Sequence, residues 1–75
     1  MTIEEIENLI RAGIKGANVT MEGDGCSCST TVISEEFNGK SLLERQKMVL
    51  ATVRAQIDSG ELHALSIKAK TPEEA

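Results

Sequence analysis

The sequence has very few aromatic residues: Phe37 is its one aromatic side chain, and tryptophan and tyrosine are absent. Because 40% of the 75 residues are nevertheless hydrophobic, the core must be built from aliphatic side chains. No apolar stretch approaches the roughly 20 residues that a membrane-spanning helix requires. The N-terminal residues carry glutamates where a secretory signal would carry positive charge. We therefore expect a soluble cytoplasmic protein.

Cysteine and positive charge are also scarce. Two cysteines, Cys26 and Cys28, are too few for the disulfide framework of a small secreted domain. The formal net charge of −4 opposes nonspecific attraction to nucleic-acid phosphates, which depends on Lys and Arg. A chain of this length can build only one core, so we expect a single domain over residues 1–75.

The first third of the sequence predicts a helix followed by a β-hairpin. Thr2 and Glu5 have the spacing of a capping box, and apolar residues then recur on one helical face up to Ala12. Gly13 would end this helix in a left-handed conformation. Alternating residues on both sides of Gly23-Asp24-Gly25 predict the hairpin.

The rest of the sequence predicts more helix and then a third strand. Ser41 and Glu44 repeat the capping-box spacing and begin one long helix, or two with a kink, that ends near Gly60. Residues 65–68 alternate as a strand does, and residues 71–74 form a terminal turn. The α-β-β-α-β order predicts a two-layer α+β domain with a mixed sheet covered by helices on one face, and the third strand should return parallel to the second by a right-handed crossover.

His63 is the only histidine, and it opens the third predicted strand. The alternation places it on the same side as Leu65 and Ile67, which favours a partly buried imidazole bonded to backbone. A role as a ligand or acid–base group is the alternative.

Cys26 and Cys28 could share a soft metal if both lie in a strand, because residues two apart project to one face. A lone C-x-C is a weak signal. Cys28 has the parity of Thr30 and Val32, which favours packing in the core. Cys26 lies at the mouth of the hairpin, where a thiol can stay exposed and reach a ligand, although an exposed inert cysteine fits the spacing equally well.

Lys40, Arg45 and Lys47 place positive charge around the predicted long helix and are candidate nucleic-acid contacts. No aromatic residue interleaves with them for base stacking. Gly13 to Gly16 has a GxxG form, but it leads from a helix towards a strand, which indicates a cap and turn. The sequence shows no constellation typical of nucleophilic catalysis or of a phosphate-binding loop, so an enzyme is not expected.

Several segments taken together resemble the BolA-like family. They are the hairpin glycines of residues 23–25, the run Ile33-Ser34-Glu35-Glu36-Phe37-Asn38-Gly39-Lys40-Ser41, and Leu62-His63-Ala64-Leu65-Ser66-Ile67-Lys68 followed by Thr71-Pro72-Glu73. The similarity covers nearly the whole chain. It implies a KH-like fold and a non-enzymatic partner of a monothiol glutaredoxin, with a bridging [2Fe–2S] cluster shared between them for iron–sulfur trafficking or for iron or redox sensing in the stress response.

The resemblance also implies the ligands. His63 matches the family's shared histidine, and the hairpin loop supplies a second ligand, here Cys26, with Cys28 as the less favoured choice. Thiolates of glutaredoxin and glutathione complete the set, so no cofactor is expected in the isolated protein. The sequence departs from the family pattern at Ser27, where related members carry a loop histidine, and at Cys28, where an aromatic residue is usual.

Two other hypotheses stay open. Some family members have been proposed as transcription factors, so DNA binding through Lys40, Arg45 and Lys47 is the main alternative function. A homodimeric metal or disulfide species that uses both cysteines is the third. We expect a monomer or a weak homodimer when the protein is alone.

Overall fold

The computed structural model describes residues 2–23 and 27–75. Over these ranges the chain forms, in order, α1 (Ile3–Gly13), β1 (Asn18–Gly23), β2 (Ser27–Ile33), a 3-10 helix (Glu35–Phe37), α2 (Leu42–Thr52), α3 (Arg54–Asp58) and β3 (Ala64–Lys70). This order confirms the α-β-β-α-β prediction. The long helical stretch is two helices, because Val53 leaves helical geometry (φ −121°, ψ 17°) between them.

The strands form one mixed sheet in the order β1-β2-β3. β1 and β2 are antiparallel, whereas β2 and β3 are parallel, as predicted for a strand that returns after a helical crossover. Val19, Val32 and Ala69 pair in register and form a buried row across all three strands.

Helices cover the face of the sheet that carries this row. Ile6 and Ile10 of α1 and Val49 of α2 are fully buried in one cluster with the row. Phe37, the single aromatic side chain, is also fully buried there, so the core is aliphatic around one ring. The alternate strand residues, such as Ser66, point to the opposite face, where small polar side chains predominate.

Both predicted capping boxes are present. The Thr2 amide donates to Glu5 Oε1 at 2.9 Å and the Glu5 amide donates to Thr2 Oγ1 at 3.2 Å. Ser41 and Glu44 make the same two bonds at 2.9 Å and 3.1 Å. Each pair satisfies amides that have no partner inside the helix, which fixes where α1 and α2 begin.

The prediction for Gly13 was wrong in its physical reason. Gly13 is the last residue of α1 and does not have a positive φ; the left-handed residue in this turn is Gly16, at φ 66°. A Cβ at Gly13 would overlap Thr52 Cγ2 of α2. Glycine therefore serves here to let two helices approach closely.

Candidate functional site

His63 lies between α3 and β3, and the chain on both sides of it is fixed. Leu62 is buried, and its amide donates to Gln56 O at 3.1 Å. Ala64, the first residue of β3, pairs with Ser27, the first residue of β2. The backbone that carries His63 is thus anchored at both neighbours, while the side chain itself is exposed.

The exposure of His63 overturns the expectation of a partly buried imidazole. That expectation counted His63 as a strand residue on the side of Leu65 and Ile67. β3 begins one residue later, at Ala64, so the alternation of strand side chains does not extend to position 63. An exposed imidazole on an anchored backbone is able to meet a ligand or a partner.

Cys28 occupies the position that its parity predicts. It lies in β2 on the helix-covered face, with 9% of its surface exposed, and belongs to the hydrophobic core cluster. Its partners across the sheet are Gly23 in β1 and Leu65 in β3. The prediction that this cysteine packs in the core is confirmed.

Gly23 explains how β1 ends beside Cys28. Its φ is 102°, which L side chains rarely adopt, and a Cβ there would lie 2.7 Å from Ser27 O and 2.9 Å from Cys28 Cα. Only glycine meets both requirements. The glycine predicted from hairpin chemistry therefore also lets β1 approach β2 closely.

Cys26, the favoured second ligand, lies outside the described residues. Its chain neighbour Ser27 pairs with Ala64, the chain neighbour of His63. The chain neighbours of the two sequence-predicted ligands are thus paired at one end of one parallel ladder.

A shallow open depression of about 270 Å³ lies next to this end of the sheet. Its lining consists of Glu22, Gly23, Ser27, Cys28, Ser29, Ala64 and Ser66. Most of the lining side chains are small, so the surface at Ala64, the chain neighbour of His63, leaves room for a bound group or for a protruding side chain of a partner.

Arg45, a candidate nucleic-acid contact, is 7% exposed and is bonded to groups of the protein itself. Its Nε donates to Lys40 O at 3.0 Å and its Nη1 donates to Ala69 O at 3.2 Å. Nη1 and Nη2 also donate to the two carboxylate oxygens of Glu74 at 2.6 Å and 3.3 Å. This guanidinium ties the C-terminal turn to α2 and β3, so the structure does not present it to a phosphate.

The contact with Arg45 changes the pKa of the Glu74 carboxylate. Its hydrogen bonds from Arg45, and then the bond from the Thr71 amide at 2.8 Å, lower the pKa of Glu74 to about 2 from its ordinary value near 4.5. Glu74 is about half exposed, so solvent screens part of this attraction. Nothing in the sequence signalled this pair, whose members are 29 residues apart.

The three predicted basic contacts do not act as one set. Lys40 and Lys47 are exposed, but Arg45 between them is buried.

Within the described residues no helix is long and apolar enough to cross a membrane. No three histidine, cysteine, aspartate or glutamate side chains of residues 2–23 and 27–75 converge as a metal site.

Comparisons with known proteins agree with this geometry. The family model described as BolA-like protein matches residues 12–74. Protein BOLA2 of Arabidopsis thaliana is 38% identical over 79 residues, covering 99% of this chain and 83% of its own length. The acid stress protein IbaG of Escherichia coli K12 is 31% identical over 74 residues, covering 99% and 88%.

The fold is shared as well. The structure of a BolA protein homologue from Coxiella burnetii superposes with a TM-score of 0.87 at 32% identity, covering 99% of this chain and 95% of that one. The three-stranded mixed sheet and these matches define a small α+β domain with the fold of BolA proteins. The chain belongs to the BolA-like family.

Proposed function

We propose that this protein is a non-enzymatic adaptor that binds a monothiol glutaredoxin and shares a bridging [2Fe–2S] cluster with it in the cytoplasm. His63 and Cys26 are the ligands from this chain, and thiolates of glutaredoxin and glutathione are the others. The observation that carries the proposal is the exposed imidazole of His63 on an anchored backbone. The next residue, Ala64, pairs with Ser27, the chain neighbour of Cys26.

The chemistry of these ligands suits a cluster that is passed on or sensed. Replacing a thiolate by a neutral imidazole removes negative charge from the cluster and raises its reduction potential. A cluster held by only two residues from this chain, at a seam between two proteins, is accessible to solvent and to a recipient protein. Trafficking and iron or redox sensing are both compatible with such a site.

Burial favours Cys26 over Cys28 as the second ligand. The Cys28 side chain packs in the core on the helix-covered face, so it would have to leave the core to reach iron beside His63. Because that movement would expose apolar surface and open a cavity, it carries a free-energy cost that argues against Cys28 as the ligand.

The test is anaerobic cluster reconstitution of this protein with a monothiol glutaredoxin and glutathione, followed by visible absorption and circular dichroism. We expect the mixture to give a spectrum that differs from that of glutaredoxin alone. His63→Ala should abolish this difference, Cys26→Ser should weaken or shift it, and Cys28→Ala should leave it intact.

Thermal unfolding of each variant separates loss of a ligand from loss of the fold. The exposed His63 side chain predicts that His63→Ala changes the free energy of unfolding by less than about 0.5 kcal/mol. A mixture whose spectrum stays that of glutaredoxin alone, or a hetero-complex that His63→Ala leaves unchanged, would contradict the proposal.

A further inference from the structure

A groove separates the start of α2 from the outer edge of β3. It encloses about 360 Å³, and its lining includes Leu42 and Gln46 of α2 and Ile67, Lys68 and Lys70 of β3. Leu42 has 73% of its surface exposed, an unusual degree of exposure for a large apolar side chain. The groove therefore offers apolar surface beside the edge of a sheet.

The edge itself carries backbone groups that the sheet does not use. Among the described residues, β3 has a neighbouring strand, β2, on one side only, and Ser34 N donates to Lys70 O on that side at 3.0 Å. Because backbone groups alternate in direction along a strand, those of Leu65, Ile67 and Ala69 point outwards. Arg45 occupies Ala69 O, which leaves the outward groups of the other two residues for a further strand.

The charge beside the groove is positive. Lys68 and Lys70 are both exposed, and neither forms a salt bridge with any residue of the described ranges. The acidic residue at the groove, Glu74, is already paired with Arg45. Two lysines are therefore available to carboxylates of a partner, although the whole protein has a net charge of −4.

We propose that this edge binds an extended acidic segment of a partner protein. The segment would add a fourth strand beside β3 through the outward backbone groups of Leu65 and Ile67, which is a common mode of peptide recognition. An apolar side chain of the segment would pack against Leu42, and its carboxylates would meet Lys68 and Lys70. His63 takes no part in this contact, so the inference stands independently of the cluster proposal.

A second copy of the chain fits this edge less well than an acidic segment does. Antiparallel pairing of two β3 strands would bring four lysines into one short ladder, since each copy contributes Lys68 and Lys70. Lysine on an edge strand is a common device against such self-pairing. The same residues favour a segment of opposite charge.

The experiment uses a display library of random ten-residue peptides, selected on the full-length protein and counter-selected on Leu42→Glu. We expect enriched peptides in which acidic residues alternate with apolar ones. One such peptide, synthesised and titrated into isotope-labelled protein, should slow hydrogen exchange at the Leu65 and Ile67 amides. Methylating alternate peptide nitrogens should abolish binding for one set of positions and spare it for the other, as expected for an added strand.

Matched variants locate the contact. Leu42→Glu and the double change Lys68→Glu with Lys70→Glu should each weaken binding about tenfold or more, because a buried apolar contact or charge complementarity is lost. Leu43→Glu is the control, since Leu43 is 62% exposed on the same helix but does not line the groove. It should change affinity less than about twofold.

Several outcomes would overturn the inference. They are a selection that enriches no peptide, enrichment of basic or helix-forming peptides, protection of amides away from β3, and equal effects of Leu42→Glu and Leu43→Glu. Analytical ultracentrifugation of the protein alone gives a further check, because a dimer abolished by Leu42→Glu would assign the edge to a second copy. Peptide binding without cluster reconstitution would support this inference and contradict the proposed function. Cluster reconstitution without peptide binding would support the proposed function and contradict this inference.

Discussion

The two ends of β3 are built in opposite ways. At its C-terminal end, the Arg45 guanidinium is buried and bonded to two main-chain carbonyls and to Glu74, which closes the terminal turn onto the sheet. At its N-terminal end, Leu62 is buried and Ala64 is paired, but the side chain of His63 between them is exposed. The C-terminal end makes buried contacts that stabilise the fold, whereas the N-terminal end exposes an imidazole.

This difference places the stabilising contacts and the candidate ligand at opposite ends of one strand. A small domain has little stability to spare. An exposed side chain adds few stabilising contacts, so buried contacts at other positions must hold the backbone in place. The exposed end can then change with small effects on the fold, whereas the buried end cannot. Three changes test that contrast, from the largest expected effect to the smallest.

Arg45→Ala should destabilise the domain more than the other two changes do. It leaves the carbonyls of Lys40 and Ala69 without their donor and releases the terminal turn, so we expect a loss of about 3 kcal/mol in the free energy of unfolding. Urea denaturation measures this loss. Lys47→Ala on the same helix is the control and should stay within about 0.5 kcal/mol; equal effects of the two changes would mean that Arg45 does not hold the fold.

Gly23→Ala tests the end of the sheet nearest to His63. The new Cβ would crowd backbone at Ser27 and Cys28 in a positive-φ conformation, and we expect a loss of about 2 kcal/mol. Gly39→Ala shares the positive φ but meets nothing within 4 Å, so it should cost only about 1 kcal/mol. Thermal or urea unfolding compares them, and an equal cost would show that the close approach of β1 to β2 is unimportant.

The smallest effect concerns pH. The pKa of Glu74 is about 2 in the folded protein and near 4.5 ordinarily, so its contribution to stability is fully present above pH 4.5 and is lost as the pH falls towards 2. Unfolding midpoints of the wild type and Glu74→Gln, measured from about pH 7 to about pH 2, should therefore converge at low pH. A constant difference between them would argue against the lowered pKa of Glu74.

The parts of the fold that depend on local chemistry were predictable from sequence. The capping boxes at Thr2 and Ser41 fixed two helix starts, and the glycines around position 23 marked the hairpin. The core position of Cys28 followed from strand alternation. Gly13 was misjudged because its close contact with Thr52 joins two helices that are distant in sequence, and local pattern carries no information on such contacts.

The sequence named candidate ligands, but it did not predict the exposure of His63. His63 and Cys26 followed from resemblance to the BolA-like family, and that family is confirmed. Strand alternation misplaced His63 because it cannot locate a strand end to within one residue. The role of Arg45 was missed because its partners Ala69 and Glu74 are distant in sequence. The local pattern around a basic residue in a helix is the same whether its side chain faces solvent or bonds to groups of the protein.

The parallel pairing of β2 with β3 has a consequence for how the protein is made. Ser27 and Ala64 come from opposite halves of the chain, so the surface that displays His63 beside the hairpin exists only after a long loop has closed. Pairing of this non-local kind is a slow part of folding. During synthesis, the hairpin leaves the ribosome well before β3, and a nascent chain therefore presents His63 beside β2 only after β3 has docked.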